Sequence, residues 1–125
     1  PKKERQWFRP AVMNESVNGG LIESNHWIFY PYTRDGLAIE TEAQLLKLVP
    51  TFAERFLIKS KERLEARASI VRASRSDWWG LSERRSWALD PRPRIVSKYF
   101  GGTGGFALDL TADFIVVQGF AWFPK

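Results

Sequence analysis

The sequence predicts an α+β fold, a single domain in which central helices are flanked by a mostly antiparallel β-sheet. Three observations lead there. The 125 residues, 44% hydrophobic and 26% charged, suit one globular domain and are too few for two with separate cores. Between residues 41 and 72 apolar side chains recur at helical spacing behind capping signals. From residue 94 onward, short β-branched and aromatic runs alternate with Gly- and Asp-bearing turns.

Residues 1–25 read as an irregular opening segment, because Asn14, Asn18 and Gly19-Gly20 interrupt any period. His26-Trp27-Ile28-Phe29-Tyr30, ended by Pro31, reads as a buried strand, and Arg34-Asp35-Gly36 as the turn after it. Thr41 with Gln44 has the spacing of a capping box. Leu45, Leu46, Leu48 and Val49 then make a short amphipathic helix stopped at Pro50. Thr51 with Glu54 repeats the signal and opens a longer helix to about Arg72. Ala53, Leu57, Leu64, Ala68 and Val71 form one core stripe along it. Lys61 with Glu65 and Lys59 with Glu62 compensate much of that helix's charge. The stretch that follows Arg72 has neither period and reads as a long, partly ordered loop of the kind that carries function. Beyond it, 94–100 alternates as a strand and Gly101-Gly102-Thr103-Gly104-Gly105 is a loop. Two further strands, 106–109 and 114–117, flank a turn at Thr111-Ala112-Asp113.

Composition narrows the chemistry. Without cysteine there is no disulfide scaffold, Cys-based zinc site, iron–sulfur cluster or thiol nucleophile, and a reducing cytoplasm is the expected location. No run of eighteen apolar residues is present, and the basic start lacks an apolar segment of signal-peptide type, so no membrane partner is expected. A start at Pro1 rather than Met leads us to expect that residues 1–125 are a domain excised from a larger protein.

The net charge of +5 is localised. Residues 1–50 carry six Lys/Arg and six Asp/Glu, residues 51–100 twelve and six, and residues 101–125 one and two. Such a basic stretch is the footprint of a phosphate-binding surface, or else a solvated helix face. Within 72–98, seven basic residues stand against three acids: Arg72, Arg75, Arg84, Arg85, Arg92, Arg94 and Lys98. Arginine suits bidentate contact with guanine O6 and N7, and lysine suits phosphate. Trp78, Trp79 and Trp87, interleaved with them, either pin the loop to the core or stack on bases, with Trp78 and Trp87 the stacking candidates.

Other motifs point to structure. The glycine loop lacks the GxxxxGK[ST] spacing and lies between apparent strands, which favours a turn over a nucleotide cradle. His26 is the sole histidine, so no metal site is expected, and Ser24 and Asp35 near it do not define a triad. Asp109 and Asp113 suit turn hydrogen bonding, and no carboxylate pair stands out as acid and base.

The order of the pieces resembles a known family. Phe8-Arg9-Pro10 and Trp27-Ile28-Phe29-Tyr30-Pro31-Tyr32 precede Leu45-Leu46 through Pro50. Phe56-Leu57, Lys61-Glu62-Arg63-Leu64-Glu65 and Arg67 come next. Trp78-Trp79-Gly80-Leu81, Pro93-Arg94-Ile95-Val96 and Gly105-Phe106-Ala107-Leu108-Asp109 complete the pattern. Over most of the chain this is similar to the target recognition domain of the TaqI/Eco57I-like adenine-N6 DNA methyltransferases. The resemblance implies a module that docks on double-stranded DNA and fixes which adenine a catalytic domain of the same polypeptide receives. In that family the adenine is flipped out and methylated from S-adenosylmethionine.

The catalytic Asn-Pro-Pro-Tyr motif and the glycine-bearing cofactor motif do not occur here. Neither catalysis nor a cofactor is therefore expected of this chain, and S-adenosylmethionine belongs to the missing catalytic domain. The resemblance implies DNA near the strand at Pro93-Arg94-Ile95 and the preceding loop. Arg84, Arg85 and Arg94 are expected at bases or phosphates, Lys98 at phosphate, and Arg72 and Arg75 as backbone-positioning contacts. The alternative is a protein-interaction module whose basic surface meets an acidic partner.

Overall fold

The computed structural model describes residues 1–101 and 104–125. In chain order its strands are β1 (Phe8–Val12), β2 (Val17–Asn18), β3 (Leu21–Ile22), β4 (His26–Phe29), β5 (Tyr32–Thr33) and β6 (Gly36–Leu37). They continue as β7 (Arg94–Ser97), β8 (Phe106–Asp109), β9 (Ile115–Val116) and β10 (Phe120–Trp122). The helices are α1 (Glu42–Leu48), α2 (Pro50–Phe52), α3 (Lys61–Glu65) and α4 (Ala68–Arg72). A π turn (Ala53–Leu57) and a 3-10 turn (Ile58–Ser60) carry α2 into α3. The fold is α+β, with all described strand pairings antiparallel except β1 with β9 and an isolated bridge from Gly20 to Ala107.

Two compact units can be described. The first comprises residues 1–7 and 30–85 and holds every described α-helix; the second comprises 8–29 and 86–125 and holds the two three-stranded sheets.

In the helical unit, α1 starts as its sequence dictates. The Thr41 hydroxyl accepts from the Gln44 N–H at 3.1 Å, and the Gln44 side chain reaches back to the Thr41 N–H. Pro50 then begins the next helix rather than only ending the last, since a missing N–H costs nothing at the first helical position. The expected Thr51–Glu54 cap is replaced by Glu4, a remote residue. Its buried carboxylate accepts from the N–H groups of Thr51 (3.0 Å) and Phe52 (3.1 Å). Burial by itself would raise the Glu4 carboxyl, but these hydrogen bonds outweigh it and hold the group below its ordinary value.

The expected continuous helix to Arg72 is corrected in two ways. Its pitch changes at the π turn, and it breaks at Arg67, whose ψ of 136° is extended. The break shifts the phase of the apolar stripe. Ala53 is buried, Leu57 and Leu64 are half-buried, and Val71 is 63% exposed while Ile70 takes its place in the core. The core of this unit gathers Tyr30, Tyr32, Ile39, Leu45, Val49, Ile70, Trp78 and Trp79.

In the sheet unit, the opening segment is more ordered than its composition suggests. β1 is the middle strand of a sheet ordered β4-β1-β9, although Pro10 lies within it. β4 is correspondingly an edge strand, and Trp27 on it is exposed rather than buried. The expected hairpin of 106–109 with 114–117 does not form. β8 pairs with β7, while β9 leaves to pair in parallel with β1. The second sheet, ordered β10-β7-β8, aligns Val96 with Ala107 and Ala121, and these face a core shared with Val12, Val17 and Val116. Gly119, with φ of 136°, begins the turn into β10. A Cβ there would collide with the Ser97 carbonyl oxygen, so only glycine fits. Gly102 and Thr103, the middle of the glycine loop, lie outside the described residues.

Candidate nucleic-acid interface

The arginine-rich segment after α4 owes its order to its own guanidinium groups. An aperiodic loop leaves carbonyl oxygens without ladder partners, and a guanidinium offers five donors in a rigid fork. Arg67, sitting at the helix break, donates to the carbonyls of Leu64 (3.0 Å), Trp78 (2.6 Å) and Gly80 (2.8 Å). Arg75 pairs with Asp77 through two hydrogen bonds of 2.9 and 2.7 Å and donates to the Leu81 carbonyl. Hydrogen bonding from Arg75 holds the Asp77 carboxyl below its ordinary value, and the same bond raises Arg75. Gly80 makes room for this cluster, because a Cβ there would lie 2.7 Å from Asp77 Oδ2 and 2.9 Å from the Tyr32 hydroxyl. That hydroxyl in turn accepts from the Leu81 N–H at 2.8 Å.

The structure places the residues expected at DNA in different surroundings. Arg94 is the largest correction: it is 1% exposed, so it meets neither base nor phosphate. Its guanidinium forms an ion pair with Asp109 at 3.1 Å and donates to the carbonyls of Ala88 and Phe114. Arg94 and Asp109 are direct cross-strand partners, so the pair joins β7, β8 and the flanking irregular segments. Arg75 is likewise committed within its loop. Arg84 donates to the carbonyls of Thr33 and Arg34 and lies 5.8 Å from the Tyr32 ring centre. Arg92 is exposed but its guanidinium makes three hydrogen bonds to the Asp90 carboxylate, which raises its already high basicity, and it covers the Phe123 ring. Lys98 is half-buried and reaches Asn18 Oδ1 at 3.3 Å. Arg85 is half-buried. Arg72 is exposed and, among the described residues, forms no ion pair.

The tryptophans of this stretch pack against the rest of their own units. Trp78 is 3% exposed, donates its indole N–H to Glu42 at 3.1 Å and meets Trp79 edge to face, so it presents no face to a base. Trp79 donates to the Ile39 carbonyl. Trp87 packs on the sheet unit's core and against Phe123.

Cations outside the loop are better placed. Arg55, Lys59 and Arg63 recur at steps of four along the helical run, all exposed. Among the described residues none of them forms an ion pair; the expected Lys59–Glu62 pair is absent, while Lys61 does reach Glu65 at 3.9 Å. Their four-residue spacing is the signal that the sequence carries, masked by the acids beside them.

The helical unit also contains a cleft. A cavity of about 510 Å³ is lined by Glu42, Glu65, Ile70, Ser74, Arg75 and Trp78. Glu42, its most engaged carboxylate, is kept ionised by hydrogen bonds first from Lys61 and then from Trp78. His26 is exposed, with Nδ1 3.8 Å from Glu15, and among the described residues no cluster of three metal-ligating side chains occurs. No described helix is long and apolar enough to cross a membrane. No protein-family model matches the chain, and no curated protein matches it.

Proposed function

We propose that this chain is a sequence-specific DNA recognition module of an adenine-N6 DNA methyltransferase, positioning the target adenine for a catalytic domain of the same polypeptide. The observation that carries this reading is the charge map. The helical unit has fourteen Lys/Arg against nine Asp/Glu, the whole +5 of the chain, while the sheet unit has five against five. Within the helical unit Arg55, Lys59, Arg63 and Arg72 are exposed and pair with no carboxylate among the described residues, as phosphate binding requires. Together with the order of sequence motifs, this favours duplex DNA as the partner. The reading assigns the protein to the cytoplasm. It gives the chain no chemistry and no cofactor of its own, S-adenosylmethionine being held by the catalytic domain.

The test is selection and sequencing of a random duplex pool by the folded chain at two salt concentrations. Enrichment of a short motif, with affinity falling steeply as salt rises, is the expected result. Absence of binding at low salt would overturn it in favour of an acidic protein partner.

A further inference from the structure

We infer that the outward face of the β10-β7-β8 sheet is a self-association surface, and that its occupant is a second copy of this chain. A sheet with one face on the core ordinarily turns polar side chains to water on the other. Here the core-facing row is Ala121, Val96 and Ala107, yet the outward rows are apolar as well. One outward row places Trp122, Ile95 and Leu108 side by side across the three strands; the next places Phe120, Ser97 and Phe106. Trp122, Leu108 and Phe106 are each more than half exposed, at 55, 58 and 60%.

The polar side-chain groups of the two rows are also paired with each other. The one indole N–H on the face is satisfied internally, donating to Ser97 Oγ at 2.8 Å, and Ser97 itself is buried. With Leu110 and Tyr99 at the margins, the exposed rings and aliphatic chains amount to roughly 700–800 Å². That lies at or above the largest apolar patch of a typical monomer, about 300–600 Å², and approaches what one partner contributes to a stable complex, about 800 Å².

The absence of charge suits a second copy as occupant. An isologous interface brings each side chain near its own symmetry mate, so any charge on the face would repel itself. Neither row carries a charge, and the sheet unit as a whole is balanced at five basic and five acidic residues. Ser97, small and set between Phe120 and Phe106, is covered by its neighbours, so the surface that a facing copy would meet is made of rings and aliphatic chains. Two such sheets stacked face to face would lie about 10 Å apart, the ordinary spacing of a β-sandwich.

The test is sedimentation equilibrium of the intact chain from about 1 to 100 µM, a range that brackets a micromolar dissociation constant. The expected result is a mass approaching twice 14.4 kDa at the upper end. Leu108→Glu should return the mass to that of a monomer, with an unchanged far-UV circular dichroism spectrum. Val71→Glu alters an equally exposed apolar residue of the helical unit and should leave the dimer intact. Because the chain has no cysteine, a single Ile95→Cys on the central strand supplies a unique thiol. On mild oxidation it should cross-link much faster than Val71→Cys, and this decides the matter if Leu108→Glu does not fold. A monomer at every concentration, a dimer that a folded Leu108→Glu leaves intact, or equal cross-linking of the two cysteine variants would overturn the inference.

Discussion

Both units stabilise aperiodic backbone with arginine, but they do it in different surroundings. In the helical unit Arg67, Arg75 and Arg84 each serve a few carbonyls and remain partly in contact with water. In the sheet unit a single arginine, Arg94, serves both the segment around Ala88 and that around Phe114, wholly out of water and beside one carboxylate. The contrast separates two meanings of a basic sequence. Guanidinium groups that order a loop are unavailable to a ligand, while the neighbouring lysines and arginines on a helix face remain available. A count of positive residues cannot tell the two apart; their partners can.

The largest effect should come from Arg94→Leu. Removing one member of a buried pair leaves Asp109 without its ion-pair partner, with the Ala112 N–H as its remaining hydrogen bond, at a cost of about 3–5 kcal/mol. Urea unfolding read by far-UV circular dichroism should register this destabilisation, and a change under about 1 kcal/mol, the scale of an ordinary hydrogen bond, would mean that the buried pair is not needed. Arg67→Ala should cost about 2 kcal/mol through the donors withdrawn from several carbonyls. Its damage should stay local: hydrogen exchange should accelerate at amides 78–82 and leave β7 and β8 protected. Equal acceleration in both units would erase the contrast between distributed and single-arginine anchoring.

A smaller effect, about 1 kcal/mol near neutral pH, is expected of Asp77→Asn. The Asp77 carboxyl is held below its ordinary value by Arg75. Its contribution is therefore present above the unfolded-state value and is lost as pH falls through the folded-state value. Melting temperatures of the variant and the parent should thus differ most near neutrality and converge in acid; a gap that widens on acidification contradicts the assignment. The smallest stability effect belongs to the combined Arg55→Ala, Lys59→Ala and Arg63→Ala variant, within about 0.5 kcal/mol because the side chains are exposed and form no ion pair among the described residues. DNA affinity should nevertheless fall, and its log–log salt slope should flatten by up to about 0.9 for each phosphate no longer neutralised. An unchanged slope would remove this row from the DNA-binding surface.

Much of the local architecture is legible in the sequence. The Thr41–Gln44 cap, the turn at Arg34-Asp35-Gly36 and the strand Phe106–Asp109 all lie where the residues put them. The cap and the turn rest on hydrogen bonds between residues three or four apart, or on the turn preferences of Gly and Asp, so neighbours along the chain suffice to specify them, whereas the strand is completed by its pairing with β7. The candidate functional surface is less legible. Arg55, Lys59 and Arg63 look neutralised by adjacent acids, because sequence spacing permits an ion pair without requiring the side chains to meet.

Residue order alone was enough for the α+β class, the position of the first helix and the concentration of positive charge in the middle of the chain. The folded arrangement was needed to settle which strands pair, which arginines are consumed and which rings reach solvent. β1 finds β9 about a hundred residues away, Arg94 finds Asp109 across a strand pair, and Trp78 is buried while Trp122 is exposed. Each outcome depends on desolvation and on partners distant in sequence, and no local pattern of side chains encodes either.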